Sequence, residues 1–90
     1  MLKLKVMTYN IHYGIGRDKK YRLERIIHVI RRERPDIIAL QEVDQGISRS
    51  NYDHQPRMIA RALTMYHYFC INRRIGHGNF GITTFSRFPI

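Results

Sequence analysis

The chain has 90 residues, 43% of them hydrophobic, and carries 16 Lys and Arg against 7 Asp and Glu for a formal charge of +9. That is enough for one domain or part of one, and the ordinary apolar share gives no indication of disorder. The charge points to an anionic partner (nucleic acid, a phosphorylated substrate or a lipid headgroup), and the one cysteine excludes an internal disulfide or a cysteine zinc site.

Residues 2–9, LKLKVMTY, alternate. Leu2, Leu4, Val6 and Thr8 fall on one face, and Lys3, Lys5, Met7 and Tyr9 on the other, which predicts a strand with the first face the more apolar. No long apolar core marks a signal peptide, and no run approaches the roughly 20 residues of a membrane helix. A cytoplasmic location is the expectation. Asn10 follows, then a loop, IHYGIGRDKK, whose glycines allow close backbone approach. GIGRDK is an incomplete GxGxxG and no dinucleotide fingerprint. Taken alone, Asn10 reads as a turn former and His12 as a surface side chain.

Residues 21–34 predict a helix, with Leu23, Ile26, Ile27 and Ile30 as its apolar stripe and Pro35 as its stop. Residues 36–44, DIIALQEVD, follow. The short apolar run Ile37 to Leu40 predicts a strand buried on both faces, with Glu42 at its carboxyl end. Strand, loop, helix and strand together make a βαβ unit. Its carboxyl edge is where ligands bind in helix-covered sheets, and a carboxylate there suits a hard cation such as Mg²⁺. The simplest alternative is a glutamate that marks where the strand meets water.

The polar segment QGISRSNYDHQ predicts a loop carrying Arg49, Asp53, His54 and Gln55. Arg49 has the geometry to fork onto a phosphate. Residues 55–64 predict a second helix, with Pro56 in its first turn and Met58, Ile59, Ala62 and Leu63 buried. Residues 66–72, YHYFCIN, predict a strand. Its aromatics read as core before they read as a stacking platform for bases, and Cys70 reads as a buried small apolar residue. Residues 73–78 predict a turn and 79–85 a further strand, hairpinned with the last. The layout then stops, as if in mid-fold.

TYNIH at 8–12, PDIIALQEVD at 35–44 and GNFGITTFSRFPI at 78–90 together resemble the opening of the endonuclease/exonuclease/phosphatase superfamily, the deoxyribonuclease-I-like hydrolases. The match runs end to end along these 90 residues, as one domain truncated after its opening strands and helices. The resemblance implies an α/β chain forming the N-terminal portion of a four-layer α/β/β/α sandwich. It implies a metal-dependent phosphoesterase cleaving phosphodiester or phosphomonoester bonds with Mg²⁺ or Mn²⁺. Glu42 would be the principal metal ligand, with Asn10 organising metal and phosphate as the second catalytic residue. Asn79, Arg49 and Asp53 would contact substrate.

The family's later motifs, an Asp-x-Asn pair and a final Asp-His pair, have no counterpart here, and none of His12, His28, His54, His67 or His77 matches the catalytic histidine. These 90 residues alone are therefore expected to be inactive. Two other readings remain open from the residues: a non-enzymatic basic module for nucleic acid or anionic surfaces, and a truncated product without function.

Overall fold

The computed structural model describes residues 3–90. Four strands and two helices form an α/β unit: β1 (Val6–Asn10), α1 (Leu23–Glu33), β2 (Ile37–Gln45), α2 (Gln55–Leu63), β3 (Tyr66–Ile75) and β4 (Gly78–Ser86). The sheet order is β1-β2-β4-β3, with β1 parallel to β2 and the other pairs antiparallel. The predicted βαβ unit is thus present, and a long hairpin closes the far side.

Both helices pack on one face. Leu23 and Ile30 of α1 and Ile59 and Ala60 of α2 meet Ile38, Leu40, Val43 and Phe85 of the sheet in a single buried cluster. Each such isoleucine or leucine contributes roughly 2–3 kcal/mol of burial. α1 ends at Arg34, which takes a left-handed conformation and closes the helix on the Ile30 carbonyl just before Pro35.

The other face of the sheet is open. Val6, Tyr66 and Tyr68 are 66%, 53% and 63% exposed. This corrects several expectations. In β1 it is Met7 and Tyr9 that pack on the helices, while the more apolar set containing Leu4 and Val6 faces out; Leu2 lies outside the described residues. β2 is buried through Ile38 and Leu40, but Ile37 and Ala39 on its second face are only half-buried. Cys70 is exposed for the same reason. In α2 the buried side is Gln55, Pro56, Ile59 and Ala60, and Met58 is 40% exposed. The residues predicted as a turn at 73–78 mostly extend the hairpin, with only Gly76 and His77 between β3 and β4.

Two bulges meet at one glycine. The β2–β4 register shifts between Leu40 and Val43, the β3–β4 register shifts between Ile71 and Arg73, and Gly81 pairs with both Val43 and Ile71. A Cβ on Gly81 would collide with the Cys70 carbonyl oxygen, so β3 and β4 approach this closely only at glycine.

Candidate active site

The first bulge determines where Glu42 stands. The strand does not end there, as the sequence suggested, but runs on to Gln45. Gln41 and Glu42 are the residues left out of the β4 pairing, and Glu42 takes a φ of 57°. A non-glycine residue in this left-handed region is strained, and bulges of this kind re-aim a side chain. No hydrogen bond or ion pair to the Glu42 carboxylate forms among the described residues.

Asn10 is its neighbour across the sheet. It pairs with Gln41, and the Ile11 amide donates to the Gln41 carbonyl at 3.1 Å. The Asn10 Oδ1 accepts the His12 N–H at 3.1 Å, which fixes the side-chain oxygen on its own turn. His12 and Tyr13 then turn through positive φ, at 47° and 42°. Gln41 joins the same rim by donating to Thr8 Oγ1 at 3.0 Å.

Two residues past Glu42 the rim changes character. Asp44 is completely buried. It accepts Arg49 Nε and Nη2, both at 2.9 Å, and Ser50 Oγ at 2.9 Å. Its backbone N–H donates to Gln55 at 2.8 Å. The pairing with Asp44 pushes the Arg49 guanidinium pKa up from its ordinary value. The same guanidinium lies over the Tyr13 ring, 3.5 Å from its centroid, with Phe80 at 5.3 Å on a longer contact. Gln55 also donates to the Tyr13 carbonyl at 2.9 Å, so the block is tied to the Asn10 turn.

The sequence-named site residues are thus distributed along the sheet edge and its loops, with no hydrogen bond or ion pair between any two of them among the described residues. Asn10 and Glu42 sit on adjacent strands. Arg49 has committed its fork to Asp44. Asp53 accepts the Tyr21 hydroxyl at 2.8 Å, and burial, reinforced by Asp53, pushes that phenol up. Asn79 donates to Gln45 at 2.8 Å, and Gln45 meets His54 Nε2 at 2.7 Å. His54 Nδ1 accepts the Arg57 N–H and caps α2. Desolvation, and then the nearby Arg57, lowers the His54 pKa from 6.5.

Sequence reasoning passed over Asp44, Tyr13 and Gln41. The only available signal was proximity, since Asp44 lies in the same LQEVD run as Glu42.

A cleft of about 720 Å³ opens beside Asn10, lined also by His12, Arg17 and Arg25; Glu42 is not part of its lining. No group of three or more His, Cys, Asp or Glu among the described residues is placed to hold a metal. Glu42 offers one carboxylate, and Asn10 and Gln41 offer neutral amides. Mg²⁺ typically takes one or two carboxylates and completes its shell with waters and phosphate oxygens. The donor set therefore fits one side of such a shell and not a closed cage. No helix is long and apolar enough to cross a membrane among the described residues.

No curated protein sequence is significantly similar to this one. Solved structures are. An endonuclease/exonuclease/phosphatase from Beutenbergia cavernae superposes with a TM-score of 0.74 at 27% identity, over 96% of this chain and 26% of that one. An endonuclease/exonuclease/phosphatase family protein from Leptotrichia buccalis gives 0.72 at 19% identity, over 98% of this chain and 39% of the other. The chain thus spans well under half the length of either structure. The profile of the Endonuclease/Exonuclease/phosphatase family matches residues 7–90. With that match over nearly its whole length, and with the strand-and-helix layout shared with these structures, the chain belongs to the endonuclease/exonuclease/phosphatase family.

Proposed function

We propose that these residues form the Glu42 side of a metal-dependent phosphoesterase site, acting on a phosphate ester with Mg²⁺ or Mn²⁺. The observation that carries this reading is the contrast at the rim: Glu42 alone among its neighbours is held in a strained backbone with its carboxylate unpartnered. Strain of this kind costs about 1–3 kcal/mol and persists where surrounding structure enforces it.

A bound divalent cation would neutralise the charge growing on the phosphoryl oxygens. The chain's own contribution is positional. Glu42 holds a carboxylate for the cation. Asn10, whose oxygen is taken by the His12 N–H, presents its NH₂ group as a donor to a phosphate oxygen. Nucleic acid and lipid-headgroup esters both satisfy this chemistry. No described residue beside Glu42 is assigned the water-activating step.

Mn²⁺ binding, read by electron paramagnetic resonance, tests the assignment without requiring turnover. The chain should bind Mn²⁺ weakly, and Glu42→Ala should abolish binding. Undiminished binding in the variant would rule out the ligand role. Hydrolysis of a generic phosphodiester and of plasmid DNA should stay at background for the 90 residues alone.

A further inference from the structure

A second concentration of positive charge lies at the end of the sheet away from Glu42. There β2 begins at Ile37 beside Ser86, and β3 begins at Tyr66 beside the same residue. The C-terminal ends of α1 and α2 reach this edge, joined by Arg31, which donates to the Ala62 carbonyl at 2.7 Å. Glu42 is five residues along β2 from Ile37, a separation of about 16 Å.

Between these elements runs a groove in two adjoining parts. The larger, about 640 Å³, is lined by Arg57, Arg61, His67 and Arg87. The smaller, about 170 Å³, shares Arg87 and adds Arg31 and Arg34. Five guanidiniums therefore border one groove, and Asp36 is the only carboxylate paired with any of them among the described residues, through Arg87 at 2.7 Å. Arg57 and Arg61 make no ion pair among the described residues. Their side chains also have no hydrogen bond there, so the fold does not employ them. Like charges gathered without partners destabilise a folded chain unless an anion answers them.

The arrangement indicates what kind of anion. Arg57 and Arg61 stand one helical turn apart, about 6 Å along the axis. Arg87 lines both parts of the groove, with Arg57 and Arg61 in one and Arg31 and Arg34 in the other, so the five are spread along it. A single phosphate is satisfied by one or two guanidinium forks. Five spread along a groove suit phosphates that repeat along a chain. A bilayer surface is answered by a protruding face with apolar side chains to insert. Here the cations line a shallow groove, and Met65, the apolar residue common to both parts, is half-buried.

We propose that this groove binds the backbone of a single-stranded nucleic acid, at a site separate from the Glu42 rim and independent of any metal there.

The test is fluorescence anisotropy of a labelled mixed-sequence 15-nucleotide strand titrated with the full chain in EDTA, across a salt series. Binding should weaken linearly in the logarithm of salt concentration. The double variant Arg57→Ala/Arg61→Ala should bind at least tenfold more weakly and lower the salt slope by about 2. The lysine pair Arg57→Lys/Arg61→Lys should recover the slope.

Three results would overturn the proposal. One is no oligonucleotide binding, including the case in which phosphatidylserine vesicles bind instead. The second is a double variant that binds as the parent does. The third is an equal loss from Arg73→Ala/Arg74→Ala, at the other end of β3, which would assign binding to overall charge. Because EDTA removes metal chemistry from the experiment, either proposal can fail without the other.

Discussion

Two carboxylates two residues apart on β2 have opposite circumstances. Asp44 is sealed in, accepts three side-chain hydrogen bonds and anchors Arg49 against Tyr13. Glu42 stands on a strained bulge with no partner. The difference separates support from chemistry: the first carboxylate is consumed in holding the rim together, and the second is left available. Charge and proximity are the same for both, so only the bulge tells them apart.

Removing the support should have the largest effect. Asp44→Ala leaves Arg49 and the buried Ser50 hydroxyl without their acceptor. Breaking a buried charged pair from one side costs 3–5 kcal/mol, and the partial exposure of Arg49, 31% for its side chain, puts this case near about 3. Urea unfolding should show a midpoint shifted well down against a total stability of roughly 5–15 kcal/mol. A shift below about 1 kcal/mol would make Asp44 as dispensable as its neighbour and dissolve the contrast.

Gly81→Ala acts on β4 where the two register shifts meet. The new methyl would meet backbone at Cys70, where nothing can rotate away, and a cost of about 2–3 kcal/mol is expected. It should also weaken Mn²⁺ binding, because Glu42 is positioned through this register. Unaltered Mn²⁺ affinity would show that Glu42 does not depend on the bulge.

Acid should loosen the supported side first. With its pKa lowered in the fold, His54 takes up its proton more readily in the unfolded chain. Stability is therefore undiminished by this group above pH 6.5 and falls as pH drops below that value. Melting temperature measured against pH should show this fall, and His54→Gln, which carries no titrating ring, should flatten it.

The smallest effect expected is a gain. Glu42→Gly relieves a positive φ and should raise stability by about 0.5 kcal/mol while removing Mn²⁺ binding. A loss of stability would show that Glu42 supports the fold after all.

What the sequence made legible follows from periodicity. Leu23, Ile26, Ile27 and Ile30 specify α1 because one face repeats at helical spacing. LQEVD located the rim because an apolar run ends in carboxylates. Met58 was misplaced because a nine-residue helix admits two overlapping stripes, and Pro56 and Ala60 carry no strong apolar signal. Arg73 and Arg74 hid the length of β3, since charged residues beside glycines resemble a turn. The partnership of Asp44 with Arg49 spans a polar segment whose composition says only loop. The bulge at Gln41 and Glu42 is legible in no local pattern, because it is a shift of register against β4, a strand distant in sequence.

The open side of the sheet has a consequence for how the chain behaves in bulk. Molecules bearing +9 repel one another at low ionic strength, which keeps Val6, Tyr66 and Tyr68 of separate copies apart. Salt shortens that repulsion to about 10 Å at 0.1 M and leaves the attraction between the apolar faces intact. Light scattering should therefore rise with added salt, the reverse of a protein whose contacts are ionic. Colloidal stability in this chain thus rests on its charge, and buffers of low ionic strength are the ones in which it should stay monodisperse.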